Sequence, residues 1–146
     1  MKTNFLKYCL MAVWLSMATF TSAHAADRVR KVGGLAPLSA PGSVTGGEAM
    51  RDAMLLAERD VNEAGGVLGC DLEVVITDTE GLPEKATAMM EKLITQDGVV
   101  AVGGGYHSSV GAASKDVANA RGIPVVFAET WNDTITGDKQ KYIFRI

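Results

Sequence analysis

Residues 99–117 read VVAVGGGYHSSVGAASKDV. Four apolar residues run into three glycines and a short polar stretch, after which small and apolar residues recur at helical spacing. A strand that passes through glycines into a helix start is the arrangement used to hold phosphate groups, so this stretch poses the question of fold and the question of ligand together.

Working outward, the same order recurs along the chain. VRKVGGLA at residues 29–36 reads as a short strand ending in the turn-rich PLSAPGSVTGG. From Glu48 onward Met50, Ala53, Met54, Ala57, Val61 and Ala64 fall on one helical face, and Gly65 is a stop signal. LEVVIT at residues 72–77 predicts a second strand. Pro83 then opens a helix carrying Ala86, Met90, Leu93 and Ile94, which closes at Gly98. Residues 99–102 form the third predicted strand, followed by a helix bearing Val110, Ala113, Val117 and Ala120 and stopped by Gly122. Residues 124–127 and 142–145 predict a fourth and a fifth strand. Strands alternating with helices imply right-handed crossovers and a parallel sheet, and uninterrupted apolar runs such as VVAV fit strands covered on both faces. The predicted fold class is α/β, a doubly wound parallel sheet.

In such sheets ligands lie beyond the carboxyl ends of the strands, where the strand order reverses. The candidate loops are therefore residues 37–47, 103–109 and 128–136, with 78–82 on the same edge. A nucleotide nevertheless fails the test of spacing. A phosphate loop needs a lysine and a hydroxyl directly after its last glycine, and Lys115 comes too far into the helix. The dinucleotide pattern needs G-x-G-x-x-G, whereas Gly103, Gly104 and Gly105 are followed by YHSSV before Gly111. What survives is the helix tip itself, whose free N–H groups hold a carboxylate as well as a phosphate.

The residues around that tip each have two readings. Ser108 is an N-cap, a ligand contact or both, and Ser109 offers a second hydroxyl. Tyr106 and His107 are exposed loop residues or cleft residues. Trp131 in AETWNDT is a packing residue or an aromatic platform, and Glu129 and Asp133 are solvated acids or ligand contacts. Catalysis finds no support: the G-x-S-x-G elbow is absent, and His107 beside Ser108 is not a triad arrangement. No catalytic residue, metal site or cofactor is assigned.

Residues 1–25 carry Lys2 and Lys7, the apolar run CLMAVWLSMATF and then Ala23-His24-Ala25. This is the order of a secretory signal peptide, with cleavage expected near Ala25 and export of residues 26–146. The apolar run is short for a membrane span, and Tyr8 before Cys9 argues against a lipid anchor there. Without the leader, 12 basic side chains face 17 acidic ones, a net charge of −5, which argues against nucleic acid as a partner. Cys70 is then the only cysteine, so no disulfide forms within these residues.

The stretches VGGLAPLSAPG, GEAMRDAMLLAERDVNEAGGVLG, LEVVITDTEGLPEKATAMMEKLI, DGVVAVGGGYHSSVGAASKDVANARGIPVVF and KYIFRI occur in this order. The chain resembles the start of the type I periplasmic solute-binding proteins of the branched-chain amino acid (Leu/Ile/Val) binding family, which serve ABC importers. The resemblance implies an N-terminal lobe, incomplete here, of a two-lobe protein that closes on an amino acid or similar small solute, without cofactor or catalysis. It also implies a periplasmic location and a permease partner in the inner membrane. In that family hydroxyls and main-chain N–H groups at a helix start hold the α-carboxylate. Carried over, this marks Tyr106, His107, Ser108 and Ser109 after the third strand and Glu129, Thr130 and Trp131 after the fourth. The first loop lacks an aromatic often present there, and Trp131 replaces a small residue, which shifts the expected solute toward an aromatic, amide or carboxylate compound. Two alternatives from other classes are a secreted α/β enzyme whose catalytic residues lie in a further part of the chain, and the ligand-binding domain of a sensor.

Overall fold

Five strands and three helices follow the predicted alternation in the computed structural model, which describes residues 29–137 and 140–146, and a fourth helix of one turn lies where a loop was expected. They are β1 (Val29–Ala36), α1 (Val44–Glu63), β2 (Asp71–Asp78), α2 (Pro83–Thr95), β3 (Ala101–Gly104), α3 (Ser108–Arg121), β4 (Val125–Phe127), the single turn α4 (Thr134–Gly137) and β5 (Ile143–Arg145). The expected leader and its cleavage point lie outside the described residues.

The strands form one parallel sheet in the order β2-β1-β3-β4-β5. The order reverses beside β1, so the switch point lies between the carboxyl ends of β1 and β3. The register lines up Val75, Gly33, Val102, Val125 and Ile143 as one row, and Ile76, Gly34, Gly103, Val126 and Phe144 as the next. Because side chains alternate along a strand, the two rows point to opposite faces. A Cβ on Gly33 would meet Leu93 of α2, and one on Gly34 would meet Met54 of α1, so the helices lie on both faces of the sheet. The first row joins Leu35, Met90, Leu93, Phe127 and Ile135 in the core.

The second row corrects one expectation. Of the described residues only α1 packs on that face, over β1 and β2. Val126 is 42% exposed and Phe144 52% exposed, so the β4–β5 half of this face is bare rather than covered.

Among the boundaries that differ from the sequence expectation, two turn on glycines. Helix α1 begins at Val44, four residues before Glu48, because Gly46 and Gly47 lie inside its first turn. Glycine disfavours helix, but here the missing side chains permit contact: a Cβ on Gly47 would sit 2.0 Å from the Pro37 carbonyl oxygen, and one on Gly46 would sit 2.4 Å from the Tyr106 ring. Strand β3 begins at Ala101, two residues late, and extends through Gly103 and Gly104, whose backbone pairs with β1 and β4 without need of side chains. Pro83 stands in the first turn of α2, and Gly122 ends α3 in the left-handed conformation at φ 70°, as expected.

The two faces predict different costs for the same truncation. In the 146-residue chain Phe127→Ala, in the core, should destabilise by about 3–5 kcal/mol, whereas Phe144→Ala, one strand away on the bare face, should cost about 1 kcal/mol or less. Urea unfolding of the two variants checks this. Equal losses would contradict the assignment of faces.

Candidate functional site

The carboxyl edge of the sheet carries four loops, and each is fixed by bonds across the sheet order. In the β1–α1 loop, which contains a cis peptide at Ala40–Pro41, the Leu38 N–H and the Ser39 hydroxyl both donate to the Asp78 carboxylate at the end of β2. Glu80 N–H donates to the same group at 2.8 Å, and Lys85 pairs with Glu80 nearby. Burial pushes the Asp78 carboxyl up, but the Ser39 hydroxyl, the two N–H groups and the Lys85 charge outweigh it. The net shift is to below the ordinary value.

The glycines of the opening stretch shape the third loop. Gly104 and Gly105 have φ of 96° and 81°, values that L side chains rarely adopt. A Cβ on Gly104 would lie 2.5 Å from the Leu35 carbonyl oxygen, and one on Gly105 2.8 Å from the Phe127 ring. These glycines therefore serve to pack and bend the backbone between β3 and α3. They bring Tyr106 over the first turn of α1 and deliver the chain to the tip of α3.

At that tip His107, not Ser108, is the N-cap residue, with φ −93° and ψ 135°. Ser108 is the first helical residue, and its hydroxyl makes no cap bond; it accepts the Trp131 N–H at 3.0 Å. The first cap-type N–H bonds run from Val110 and Gly111 to the His107 carbonyl, which leaves the Ser108 and Ser109 N–H groups without a protein acceptor among the described residues. Ser109 is exposed. The tip thus presents two free N–H groups and two hydroxyls, with the Ser108 oxygen already accepting and its hydrogen free to donate.

The other candidates separate. The His107 ring stands edge-on to Tyr106 at 5.2 Å and against Gly81, and its Nδ1 is buried without a partner. It makes no hydrogen bond to either serine, so the described residues hold no base–nucleophile pair there. Thr130 is fully buried, with its methyl facing Gly111 and Gly105, and its side chain packs the loop from beneath. Glu129 is exposed, and Trp131 is 78% exposed with its indole standing free of the core. No group of three or more His, Cys, Asp or Glu side chains suited to a metal occurs among the described residues.

A groove of about 730 Å³ opens between α1 and the chain at the carboxyl ends of β3 and β4. Tyr106 and Glu129 line it, as do Ser43 and Thr45 at the start of α1, which lie in the candidate loop 37–47 but were not singled out within it. Ser43 just before a helix start was the available signal, hidden because the two glycines that follow made the helix seem to begin later. His107, Ser108, Ser109, Thr130 and Trp131 lie outside the groove lining.

Comparison with known proteins agrees with this architecture. Residues 30–146 match the periplasmic binding protein family, and the chain belongs to it. A leucine-, isoleucine-, valine-, threonine- and alanine-binding protein of Pseudomonas aeruginosa is 31% identical over 131 residues, covering 90% of this chain and 35% of that protein. The branched-chain amino acid transporter substrate-binding protein of Streptococcus pneumoniae, crystallised with isoleucine, superposes with a TM-score of 0.75 at 31% identity, covering 80% of this chain and 33% of that one. A solute-binding protein of an ABC transporter from Rhodopseudomonas palustris, crystallised with 3,4-dihydroxybenzoic acid, shares the fold with a TM-score of 0.73 at 23% identity, covering 82% of this chain and 32% of that one. The chain therefore spans about a third of the length of these relatives.

The depressed Asp78 value predicts an acid-side effect. Above the ordinary carboxylate range the group is ionised in folded and unfolded chains alike, and its contribution to stability is fully present. As the pH falls through the folded-state value, that contribution is lost. Asp78→Asn should be less stable at neutral pH and should lose less stability between about pH 5 and pH 2 than the unaltered chain. Urea midpoints across that range check the slope, and parallel acid limbs would contradict it.

Proposed function

We propose that the chain is the first part of the N-terminal lobe of an exported, non-catalytic substrate-binding protein. It captures a small carboxylate-bearing solute and delivers it to an ABC permease in the inner membrane. The observation that carries this reading is the α3 tip, where two unpaired N–H groups and the Ser108 and Ser109 hydroxyls converge beside the main chain of Trp131, whose side chain is exposed. Such a tip stabilises a carboxylate by partial positive charge and directed donors. Glu129 at the rim complements an ammonium group, so a zwitterionic amino acid fits between the two, while Trp131 favours a planar or amide-bearing side chain over a branched one. The relatives that bind amino acids, and the more distant one that holds an aromatic acid, support this solute class.

One lobe is insufficient for tight binding. Micromolar affinity requires about 8 kcal/mol net, and association alone costs roughly 4–15 kcal/mol. Two or three charge-assisted hydrogen bonds contribute about 1.5–3 kcal/mol each. A second lobe closing over the tip by hinge motion supplies the rest. The bare β4–β5 face, with Val126 and Phe144 exposed, is where a further part of the same polypeptide packs to complete the first lobe. The leader at residues 1–25, cleaved near Ala25, directs the protein to the periplasm.

Calorimetric titration of the two-lobe protein with leucine, glutamine, phenylalanine and 4-hydroxybenzoate tests the reading. Binding of at least one, without turnover, is expected; chemical conversion of any of them, or binding of none, would overturn it. In the same protein Ser108→Ala with Ser109→Ala should weaken the bound solute by roughly tenfold to a hundredfold while leaving the unfolding midpoint nearly unchanged.

A further inference from the structure

The motif Tyr142-Ile143-Phe144-Arg145 ends in an arginine that the solute site leaves unexplained. Arg145 is the last residue of β5, in register with Phe127, the last residue of β4. It therefore stands where the chain leaves β4 for the loop that carries Glu129, Thr130 and Trp131. Its Nη1 donates to the Thr130 carbonyl at 3.2 Å, and its Nη2 pairs with Asp133 further along the same loop. The arginine side chain is 24% exposed and Asp133 is 93% exposed, so the main-chain bond is the sheltered arm of the fork.

The remaining loop bonds come from other elements. Ala128 and Glu129 N–H donate to the carbonyls of Gly104 and Gly105, and Trp131 N–H donates to Ser108. The Thr130 carbonyl lies between these two anchors and receives the guanidinium. We infer that Arg145 is a positioning residue: mainly through the Thr130 carbonyl, with Asp133 as an exposed second arm, it holds the 128–133 loop so that Trp131 stays anchored at the α3 tip. A planar fork with fixed donors suits this bridging role, and lysine offers a point charge in its place.

The consequence for affinity rests on the solute-binding reading above, but the ordering of the loop does not, and the test separates the two. The full two-lobe protein is labelled with 5-fluorotryptophan, and the Trp131 fluorine signal is assigned by its loss in Trp131→Phe. In Arg145→Ala that signal should move toward the position of free fluorotryptophan and change in width, with the far-UV circular dichroism unchanged. Affinity for the tightest of the four solutes should fall roughly tenfold. Arg145→Lys should recover part of both losses. Asp133→Asn, which removes only the exposed arm, should change affinity less than about twofold.

A Trp131 signal in Arg145→Ala identical to that of the unaltered protein would overturn the inference. So would a displaced signal with unchanged affinity, because the loop would then be ordered to no effect on the site. Should Arg145→Ala not fold, Arg145→Lys decides: unaltered signal and affinity there would overturn the two-point bridge. If the unaltered protein bound none of the four solutes, the functional reading would fall and the fluorine signal alone would judge the bridge.

Discussion

A side chain on Gly34 would lie 2.5 Å from Ile76 and about 3 Å from Met54, and one on Gly33 would lie 2.8 Å from Leu93. The interior strand β1 is bare of side chains where helices from both faces cross it, and the positions of α1 and α2 follow from that. Close seating on β1 sets how far each helix tip reaches past the carboxyl edge of the sheet, and therefore where the loops of that edge can meet. Gly46, Gly47, Gly104 and Gly105 extend the same constraint to the edge, each removing a side chain where another backbone or ring must approach. A stretch that resembles a phosphate cradle in composition is in this chain a packing and bending device.

The edge so built is polar without a fixed cation at the α3 tip. The Ser108 and Ser109 N–H groups and two hydroxyls meet there, the main-chain N–H of Trp131 bonds to Ser108, and Glu129 is exposed on the neighbouring loop. On the function proposed above, neutral donors on a helix tip suit a small solute that must be released again, because they attract a carboxylate through partial charges alone. The Asp78 cluster has a different role. It spends a carboxylate on Leu38, Ser39 and Glu80 and so ties the first and second loops to each other.

Much of the fold was legible in local pattern. The helical spacing of Met50, Ala53, Met54 and Ala57, Pro83 in a first turn and Gly122 at a helix end all report properties of neighbouring residues, and all agree with the structure. The disagreements arise where a local rule was overridden by a distant partner. Gly46 and Gly47 are helical because Tyr106 and Pro37 lie against them, and Ser108 is no cap because Trp131, 23 residues on, takes its hydroxyl. Thr130, grouped by position with Glu129 and Trp131, turns its side chain inward, where Gly105 and Gly111 leave room for its methyl.

By itself the sequence determined the alternation of strands and helices, the parallel sheet and the edge on which a site could form, because hydrophobic period and turn residues act over a few neighbours. The tertiary structure alone decided that β1 lies between β2 and β3, that among the described residues half of one face is bare, and that Arg145 of β5 and Ser108 of α3 both bind the loop carrying Trp131. These depend on which strands lie side by side, a choice made by the packing of the whole sheet rather than by any segment within it.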